Sequence, residues 1–394
     1  MSRSTAFLIV LFILLSSCLI PGCAQKAREE KTIQLKEERL QKSETQRPGS
    51  GYQEITVGRC PLSPLVSDFN RDGYNDLAVV SHGESQLEIY WGRPNRKFVK
   101  GPVYEKDQVG YHPGKIAIID WNKDGLPDIL LAGEGVFDVQ LWQNTGKGFI
   151  KKASVPVPIN AVSIQCSDLD KDGHLDIILG PHDGNSMVIL WGKGKDFAFE
   201  TQIVRANKGA QNVEIADWNN DGRPDIFWVE LYPGSAVVAL NQGNRKFSKY
   251  YIKKPGKPTG VIKDGPAYIK LADLDDDGCQ DASVTLEVGK ACNIYYGNCQ
   301  GGIKKFEKIP APVWGFSGLA AVGFDSSHLP MLGLGEEMRL FIAKKENKTW
   351  KMTEKPAGSL PRDFTFVDIN KDGNLDLIFS NTAGKTVGIL YGPF

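Results

Sequence analysis

The chain has 394 residues, and its 47 lysines and arginines balance its 47 aspartates and glutamates, so the formal net charge is zero. This balance argues against a nucleic-acid partner, because such a partner demands a basic face. The hydrophobic fraction of 41% and the charged fraction of 24% are ordinary for a folded globular protein and exclude a chain that is disordered throughout.

Residues 1–22 have the features of a signal peptide: an early arginine, a short apolar core, and small residues before a cysteine. The stretch LIPGC resembles a bacterial lipobox, which implies that Cys23 becomes a lipidated first residue. Cys18 is a second candidate, but apolar residues follow it, whereas polar residues follow Cys23. An uncleaved anchor and an ordinary secretory signal are the alternatives. We expect an extracytoplasmic protein that is lipid-anchored to a membrane of the bacterial cell envelope.

Residues 23–50 are charged and hydrophilic and end in RPGSG. Because this segment is polar on nearly all sides, it is expected to be a solvated tether rather than a packed element. The tether would hold a domain of residues 51–394 away from the membrane.

Six copies of the pattern D-x-[DN]-x-D-G-x-x-D follow. Positions 1, 3 and 5 carry side-chain oxygens, the glycine at position 6 permits a tight turn, position 7 can offer its backbone carbonyl, and the aspartate at position 9 closes the cage. Such oxygen ligands suit Ca²⁺. The predicted ligands are Asp68, Asn70, Asp72, Tyr74 and Asp76; Asp120, Asn122, Asp124, Leu126 and Asp128; Asp168, Asp170, Asp172, His174 and Asp176; Asp217, Asn219, Asp221, Arg223 and Asp225; Asp273, Asp275, Asp277, Cys279 and Asp281; and Asp368, Asn370, Asp372, Asn374 and Asp376.

The start of each copy resembles the calcium loop of an EF-hand, but position 12 is always apolar instead of glutamate. The residues that follow are rich in β-branched and aromatic side chains and are typical of strands. The pattern therefore predicts calcium loops that join two strands. A hairpin turn rich in Asp and Asn that binds nothing is the alternative.

The copies recur about every 50 residues, which indicates repeats that pack against one another. The interval from Asp273 to Asp368 is about twice as long, so a degenerate copy is expected between them, with Asp325 in the first position and no calcium. Each unit shows four short strands, which predicts seven blades of a β-propeller. The segment from Tyr52 resembles a fourth strand and would complete the last blade, closing the ring.

These repeats resemble FG-GAP/VCBS repeats, which occur in integrin α-subunit propellers and in many bacterial surface proteins. The resemblance covers about residues 52–394. It implies an all-β, seven-bladed β-propeller of four-stranded antiparallel blades with calcium as the cofactor, at up to six sites. The loops at Asp168 and Asp273 carry four carboxylates against three elsewhere, and we expect them to bind calcium more tightly.

By analogy with integrin-like propellers, a ligand would meet the face opposite the calcium loops. That face holds the turns between second and third strands and the links between blades. The alternative is that these turns are simply polar. The ligand-face candidates are His82, Tyr111, His112, Glu134, His182, Glu230, Glu287 and Trp314.

No nucleophile elbow, zinc-protease motif or phosphate-binding glycine loop occurs in the sequence. We therefore expect a monomeric binding or adhesion module for a glycan or protein ligand, with no catalytic residues. A calcium-stabilised, lyase-like enzyme acting on polysaccharides and a structural subunit of an envelope complex are the alternatives. The sequence also leaves open whether Cys279 and Cys299, which lie at one end of the same blade, are bonded.

Overall fold

A computed structural model describes residues 51–394 except 134, 136, 183, 195, 233, 254–264, 287–289, 311–317, 325–327 and 337–338. The predicted signal peptide, Cys18, Cys23 and the tether lie outside these residues. Residues Tyr52–Phe394 form one compact unit. Among the described residues, no helix has the length and apolar character that crossing a membrane requires.

The compact unit contains seven four-stranded antiparallel sheets, which confirms the predicted seven-bladed β-propeller. Blade 1 comprises β2 (Pro61–Ser67), β3 (Asp76–Ser81), β4 (Gln86–Arg93) and β5 (Lys97–Tyr104), and blade 2 comprises β6 (Pro113–Ile119), β7 (Asp128–Gly133), β8 (Asp138–Asn144) and β9 (Phe149–Pro156). Blade 3 comprises β10 (Ala161–Ser167), β11 (Asp176–Pro181), β12 (Ser186–Gly192) and β13 (Phe199–Arg205), and blade 4 comprises β14 (Ala210–Ala216), β15 (Asp225–Glu230), β16 (Ser235–Asn241) and β17 (Phe247–Lys253).

The remaining blades follow the same order. Blade 5 comprises β18 (Pro266–Ala272), β19 (Asp281–Leu286), β20 (Ala291–Gly297) and β21 (Ile303–Pro310). Blade 6 comprises β22 (Gly318–Phe324), β23 (Pro330–Gly335), β24 (Leu340–Glu346) and β25 (Thr349–Lys355). Blade 7 comprises β26 (Pro361–Val367), β27 (Asp376–Asn381), β28 (Thr386–Leu390) and β1 (Tyr52–Thr56). A four-residue helix, α1 (Lys106–Val109), precedes blade 2.

The order of strands within a blade explains their composition. First strands of neighbouring blades contact one another and line the central channel. Second strands are buried on both faces, so that all six residues of β3 and of β11 are buried and mostly apolar. Fourth strands form the outer edge, and exposed lysines in β9 reflect that position. The apolar clusters lie between adjacent blades, where Trp142 and Trp191 are fully buried.

Contacts between the first and last segments of the described chain join blade 7 to blade 1. Strand β1 pairs antiparallel with β28, with Tyr52 opposite Leu390 and Thr56 opposite Thr386. In the channel, the buried carboxylate of Asp363 in blade 7 accepts a hydrogen bond from the backbone N–H of Ser63 in blade 1, at 2.9 Å. The first and last segments of the described chain therefore share one sheet.

The structure of blades 6 and 5 bears on the degenerate repeat and on the pair of cysteines. The degenerate copy does form a four-stranded blade, although Asp325 itself lies outside the described residues. In blade 5 a disulfide joins Cys279 in the predicted calcium loop to Cys299 in the turn between β20 and β21, with 5.0 Å between the Cα atoms. This bond fixes the loop to the third-to-fourth turn of the same blade.

Candidate metal loops and the opposite face

All six predicted calcium loops join the first and second strands of a blade and adopt one conformation. The residue at position 4 has a φ of 55° to 61° in every loop, and the glycine at position 6 has a φ of 81° to 89°. The N–H of that glycine donates to the first aspartate at 2.6 to 3.0 Å. The N–H of position 5 donates to the other oxygen of the same carboxylate. The repeated pattern therefore encodes a repeated turn.

The aspartate at position 9 has a second role that sequence reasoning missed. In all six blades it is fully buried. Its Oδ2 accepts a hydrogen bond from the N–H of position 2 at 2.7 to 3.0 Å. Its Oδ1 accepts one from the N–H of a residue within two positions of the end of the third strand, at 2.7 to 2.9 Å. The carboxylate thus clamps the loop to the third strand.

A sequence signal for this clamp exists. The donor always lies 16 residues after the aspartate, and it is Gly92, Asn144, Gly192, Asn241, Gly297 or Gly392. A Cβ atom at Gly92 would lie 2.1 Å from the backbone oxygen of Asn75, so glycine is needed for this close approach. Where asparagine replaces glycine, its amide bonds to the preceding blade, as from Asn144 to the carbonyl of Phe69 at 2.8 Å.

Burial of the clamp carboxylates changes their acidity. Burial raises the pKa of Asp76 to about 6, although two backbone hydrogen bonds lower it, and the carboxylates of Asp72 and Asp68 raise it further. In blade 5 burial raises the pKa of Asp281 to about 7. A positive charge among the loop oxygens would oppose both the burial effect and the repulsion.

The two loops with four carboxylates differ from the others at position 3. In the four loops with asparagine there, the amide Nδ2 donates to the position-5 carboxylate at 2.8 to 3.1 Å. Aspartate lacks this N–H. In these two loops a basic side chain lies between the carboxylates of positions 3 and 5 instead. Arg245 of blade 4 lies 2.7 Å from Asp170 and 3.9 Å from Asp172, and Lys304 pairs with Asp275 and Asp277.

The donor set of the loops fits a hard divalent cation. Carboxylate oxygens of Asp168, Asp170 and Asp172 lie within 4.8 Å of one another, and so do those of Asp273, Asp275 and Asp281. All side-chain donors at positions 1, 3, 5 and 9 are oxygens, which Ca²⁺ prefers. These are the loops that the sequence singles out for their extra carboxylate.

On the opposite face, the structure brings three of the predicted candidates together. His82 is buried, and its Nδ1 lies 3.0 Å from the carbonyl oxygen of Pro113. Its Nε2 lies 3.0 Å from Nδ1 of His112. The ring of Tyr111 stands edge-on to that of His112 with 3.8 Å between centroids. The Lys106 ammonium of α1 lies 4.5 Å from the Tyr111 ring centroid.

These contacts assign the protons of both imidazoles. A carbonyl oxygen only accepts, so Nδ1 of His82 donates, and the tautomer with its single proton there accepts through Nε2. His112 must then donate through Nδ1, which leaves a lone pair on its Nε2. Burial, with the neighbouring His82 and Lys106, lowers the pKa of His112, so that the ring is neutral at pH 7. No described residue donates a hydrogen bond to His112 Nε2.

Glu230 is a candidate that the structure corrects. It is 1% exposed and cannot present its carboxylate to a ligand without rearrangement. The carboxylate accepts hydrogen bonds from the N–H and side-chain amide of Asn207 at 2.9 and 2.7 Å, from the Trp228 indole at 3.0 Å, and from the Ser235 hydroxyl. It ties the link between blades 3 and 4 to a hairpin of blade 4, and is therefore structural.

A groove between blades 2 and 3 is a feature of this face that sequence reasoning missed. It has a volume of about 340 Å³ and is lined by Phe137, Pro158–Asn160, Pro181, Gly184–Ser186, Val188 and Ile203. Phe137 is 51% exposed and has a φ of 46°, a strained conformation for a bulky side chain. The buried Oδ1 of Asn160 accepts no hydrogen bond from any described residue.

Of the four remaining candidates on this face, the structure describes one. His182 follows β11, and its N–H donates to the carbonyl of Asn160 at 2.8 Å, beside the groove. Glu134, Glu287 and Trp314 lie outside the described residues.

Comparison with known proteins identifies the repeats. A family model described as FG-GAP-like repeat matches residues 68–131, 120–179, 168–228 and 217–284. The chain belongs to the FG-GAP-like repeat family. Each match begins at the first aspartate of one loop and ends in the second strand of the next blade, so each match spans two successive loops, the clamp of the first loop and the inter-blade junction between them.

Similar proteins are found both by sequence and by fold. Phosphatidylinositol-glycan-specific phospholipase D of Rattus norvegicus is 26% identical over 230 residues, which are 49% of this chain and 26% of the relative. The chain thus spans about a quarter of the length of the curated relatives it matches. Virginiamycin B lyase of Staphylococcus aureus has a similar fold, with a TM-score of 0.59 at 14% identity, covering 87% of this chain and 99% of the lyase.

A lectin of Agrocybe aegerita that recognises non-reducing terminal N-acetylglucosamine is also similar, with a TM-score of 0.54 at 16% identity, covering 85% of this chain and 86% of the lectin. At these identities the solved structures support the fold alone.

Proposed function

We propose that this protein is a calcium-stabilised binding module of the cell envelope, which carries its ligand on the face opposite the calcium loops. The loops would hold Ca²⁺ through positions 1, 3, 5, 7 and 9, and the ion would supply positive charge that neutralises the clustered carboxylates. Extracellular calcium modules bind at about 10⁻⁴–10⁻³ M, so such sites fill outside a cell. A lipid on Cys23 and the tether of residues 24–50 would place the monomeric propeller at a membrane surface.

The observation that carries this proposal is the different use of polar groups on the two faces. On the loop face, the same carboxylates bond to the same backbone groups in six blades, which suits a scaffold. On the opposite face, His112 presents a lone pair and Tyr111 is 45% exposed beside it. An aromatic surface with a directed acceptor is typical of sites for polar organic ligands. The similar fold of a saccharide-binding lectin is compatible with this assignment.

A glycan array and a protein array probed with the full chain, in Ca²⁺ and in EGTA, test the proposal. We expect retention without product release in Ca²⁺, and weaker retention in EGTA because the scaffold loosens. A chain that is retained on neither array in Ca²⁺ would contradict the binding function.

A lyase-like enzyme is the second candidate, and the histidine pair favours it. Nε2 of His112 has the lone pair of a general base, and His82 fixes its orientation. This candidate predicts that a polysaccharide is cleaved by the full chain and is not cleaved by the His112→Gln variant, while thermal unfolding is unchanged.

A further inference from the structure

Hydrogen bonds join the predicted calcium loops of blades 7, 1 and 2 to one another. Lys371, at position 4 of the blade 7 loop, donates from Nζ to the carbonyl oxygen of Gly73 in the blade 1 loop at 2.7 Å. Arg71, at position 4 of the blade 1 loop, donates from Nη2 to the carbonyl oxygen of Asp124 in the blade 2 loop, also at 2.7 Å. Each of these bonds links two neighbouring loops.

Asparagine side chains make return contacts at the same two junctions. Asn75 Nδ2 of the blade 1 loop donates to the carbonyl oxygen of Asp368, the first residue of the blade 7 loop, at 3.0 Å. Asn144 Nδ2 of blade 2 donates to the carbonyl oxygen of Phe69 in the blade 1 loop at 2.8 Å. Both junctions are bonded in both directions, so a shift in the backbone of one loop acts on the next loop.

The linking side chains emerge from the ligand-bearing part of each loop. Arg71 lies between two predicted ligands of its own loop, Asn70 and Asp72, and its bond holds the backbone of Asp124, a predicted ligand of the next loop. Lys371 occupies the same position in blade 7. An ion that orders one loop would therefore place a side chain that orders the next. The next loop would then lose less conformational entropy when it binds its own ion.

The same position in blade 2 lacks this link. Lys123 occupies position 4 there and is exposed, and within the described ranges it has no hydrogen-bond or ion-pair partner. Blade 3 has Leu175 and Gly192 at the positions from which Asn75 and Asn144 make their contacts, and neither side chain has an amide to donate. The linked set therefore ends at blade 2 in this direction.

We propose that Lys371 and Arg71 are positioning residues that make calcium binding by the loops of blades 7, 1 and 2 cooperative. This inference rests on the proposed calcium binding and specifies how the sites act on one another. Each link should raise the affinity of the adjacent loop about fivefold once the first loop is occupied. The positive charge of each side chain opposes an ion in either loop, so loss of the charge alone would raise affinity. Loss of the bond would instead lower the cooperativity.

The test uses the full chain in a three-site background. Asp172→Ala, Asp221→Ala and Asp277→Ala remove the position-5 ligand in blades 3, 4 and 5, which leaves the three linked loops as the predicted sites. Isothermal titration calorimetry with Ca²⁺ should give a Hill coefficient of about 1.5. Arg71→Met combined with Lys371→Met should lower it to about 1. The conservative pair Arg71→Lys and Lys371→Arg should restore most of the cooperativity, because both side chains still donate.

Lys123→Met is the matched control for the single variant Arg71→Met. Each substitution removes one exposed positive charge from position 4 of a loop, but only Arg71→Met breaks a bond between loops. Lys123→Met should leave the Hill coefficient unchanged. A loss of cooperativity as large as that of Arg71→Met would assign the effect to charge and overturn the inference.

The remaining outcomes separate this inference from the proposed function. Calcium binding by the three-site background with a Hill coefficient of about 1 would overturn the inference and leave calcium binding intact. Absence of calcium binding by the wild-type chain would overturn both. If the background does not fold, native mass spectrometry of the wild type and of the variant with Arg71→Met and Lys371→Met counts the ions on each chain. The wild type should show fewer chains with intermediate numbers of ions, and equal distributions would overturn the inference.

Discussion

The two faces of this propeller use buried carboxylates in opposite ways. On the loop face, Asp176 and its five counterparts make the same two backbone hydrogen bonds in every blade. On the opposite face, Glu230 makes four hydrogen bonds that belong to one junction alone. Repetition on the first face indicates a scaffold that every blade needs. Irregularity on the second allows individual junctions to differ, as a specific ligand site requires.

The largest expected effect comes from breaking a clamp on the loop face. Asp176→Ala leaves the N–H groups of Leu169 and Gly192 buried without their acceptor, and should lower the free energy of unfolding by about 2–6 kcal/mol, since each unsatisfied group costs about 1–3 kcal/mol. The loss should appear with and without calcium. Urea unfolding followed by tryptophan fluorescence measures it.

The matched control in the same loop is Asp172→Ala, because Asp172 is exposed. In EGTA this substitution should lower the free energy of unfolding by less than about 1 kcal/mol. In Ca²⁺ the decrease should be larger, because the substitution also removes a ligand of the ion. If Asp172→Ala and Asp176→Ala lower the free energy of unfolding equally in EGTA and in Ca²⁺, position 9 acts only as a ligand and not as a clamp.

The second effect concerns the disulfide, which only blade 5 carries among the described loops. The Cys279→Ser/Cys299→Ser variant releases a loop of about 20 residues and should lose about 3 kcal/mol. Dithiothreitol should bring the wild type to the stability of the variant. A variant as stable as the oxidised wild type would contradict this prediction.

On the opposite face, Glu230→Ala should lower the free energy of unfolding by about 2 kcal/mol, because the Trp228 indole and the Asn207 N–H lose their acceptor. Calcium should not change this cost, since Glu230 lies at the other end of its blade from the loop. The same urea experiment in Ca²⁺ and in EGTA measures this decrease in the free energy of unfolding. A decrease that depends on calcium would contradict the contrast between the two faces.

The smallest effect separates the two kinds of predicted calcium loop, those with three carboxylates and those with four. Arg245→Gln removes the cation that bridges Asp170 and Asp172, so repulsion in the metal-free loop rises. We expect the calcium affinity of that loop to rise about fivefold, which corresponds to about 1 kcal/mol. Isothermal titration calorimetry measures the change, with Arg96→Gln as a control because Arg96 lies 3.5 Å from a single carboxylate, that of Asp372. A lower affinity after Arg245→Gln would contradict the bridging role.

The repeats made the fold and the loop face predictable from sequence. Six copies of one pattern and apolar second strands determine blades, strand order and loop position, because each is repeated and local. The clamp by Asp176 was missed although its partner recurs at a fixed spacing, because the pattern was interpreted only as a ligand set. The degenerate sixth blade was predictable from the doubled interval.

The opposite face was less predictable, because it depends on contacts between blades. Glu230 and His82 occupy corresponding turns, yet one is enclosed by Asn207 and Trp228 while the other pairs with His112. The number of residues from a loop predicts the position of a side chain along its strand. Its burial depends instead on the link between blades that packs against it. Phe137 was missed for the same reason.

Thermal unfolding of the full chain during titration with Ca²⁺, with Mg²⁺ as the control ion, tests the central proposal most directly. Each site at tenfold its dissociation constant should add about 1.4 kcal/mol, so several sites should raise the midpoint by many degrees, and EGTA should reverse the shift. Mg²⁺ should have a much smaller effect. A midpoint that is the same in Ca²⁺, Mg²⁺ and EGTA would contradict a calcium-stabilised scaffold.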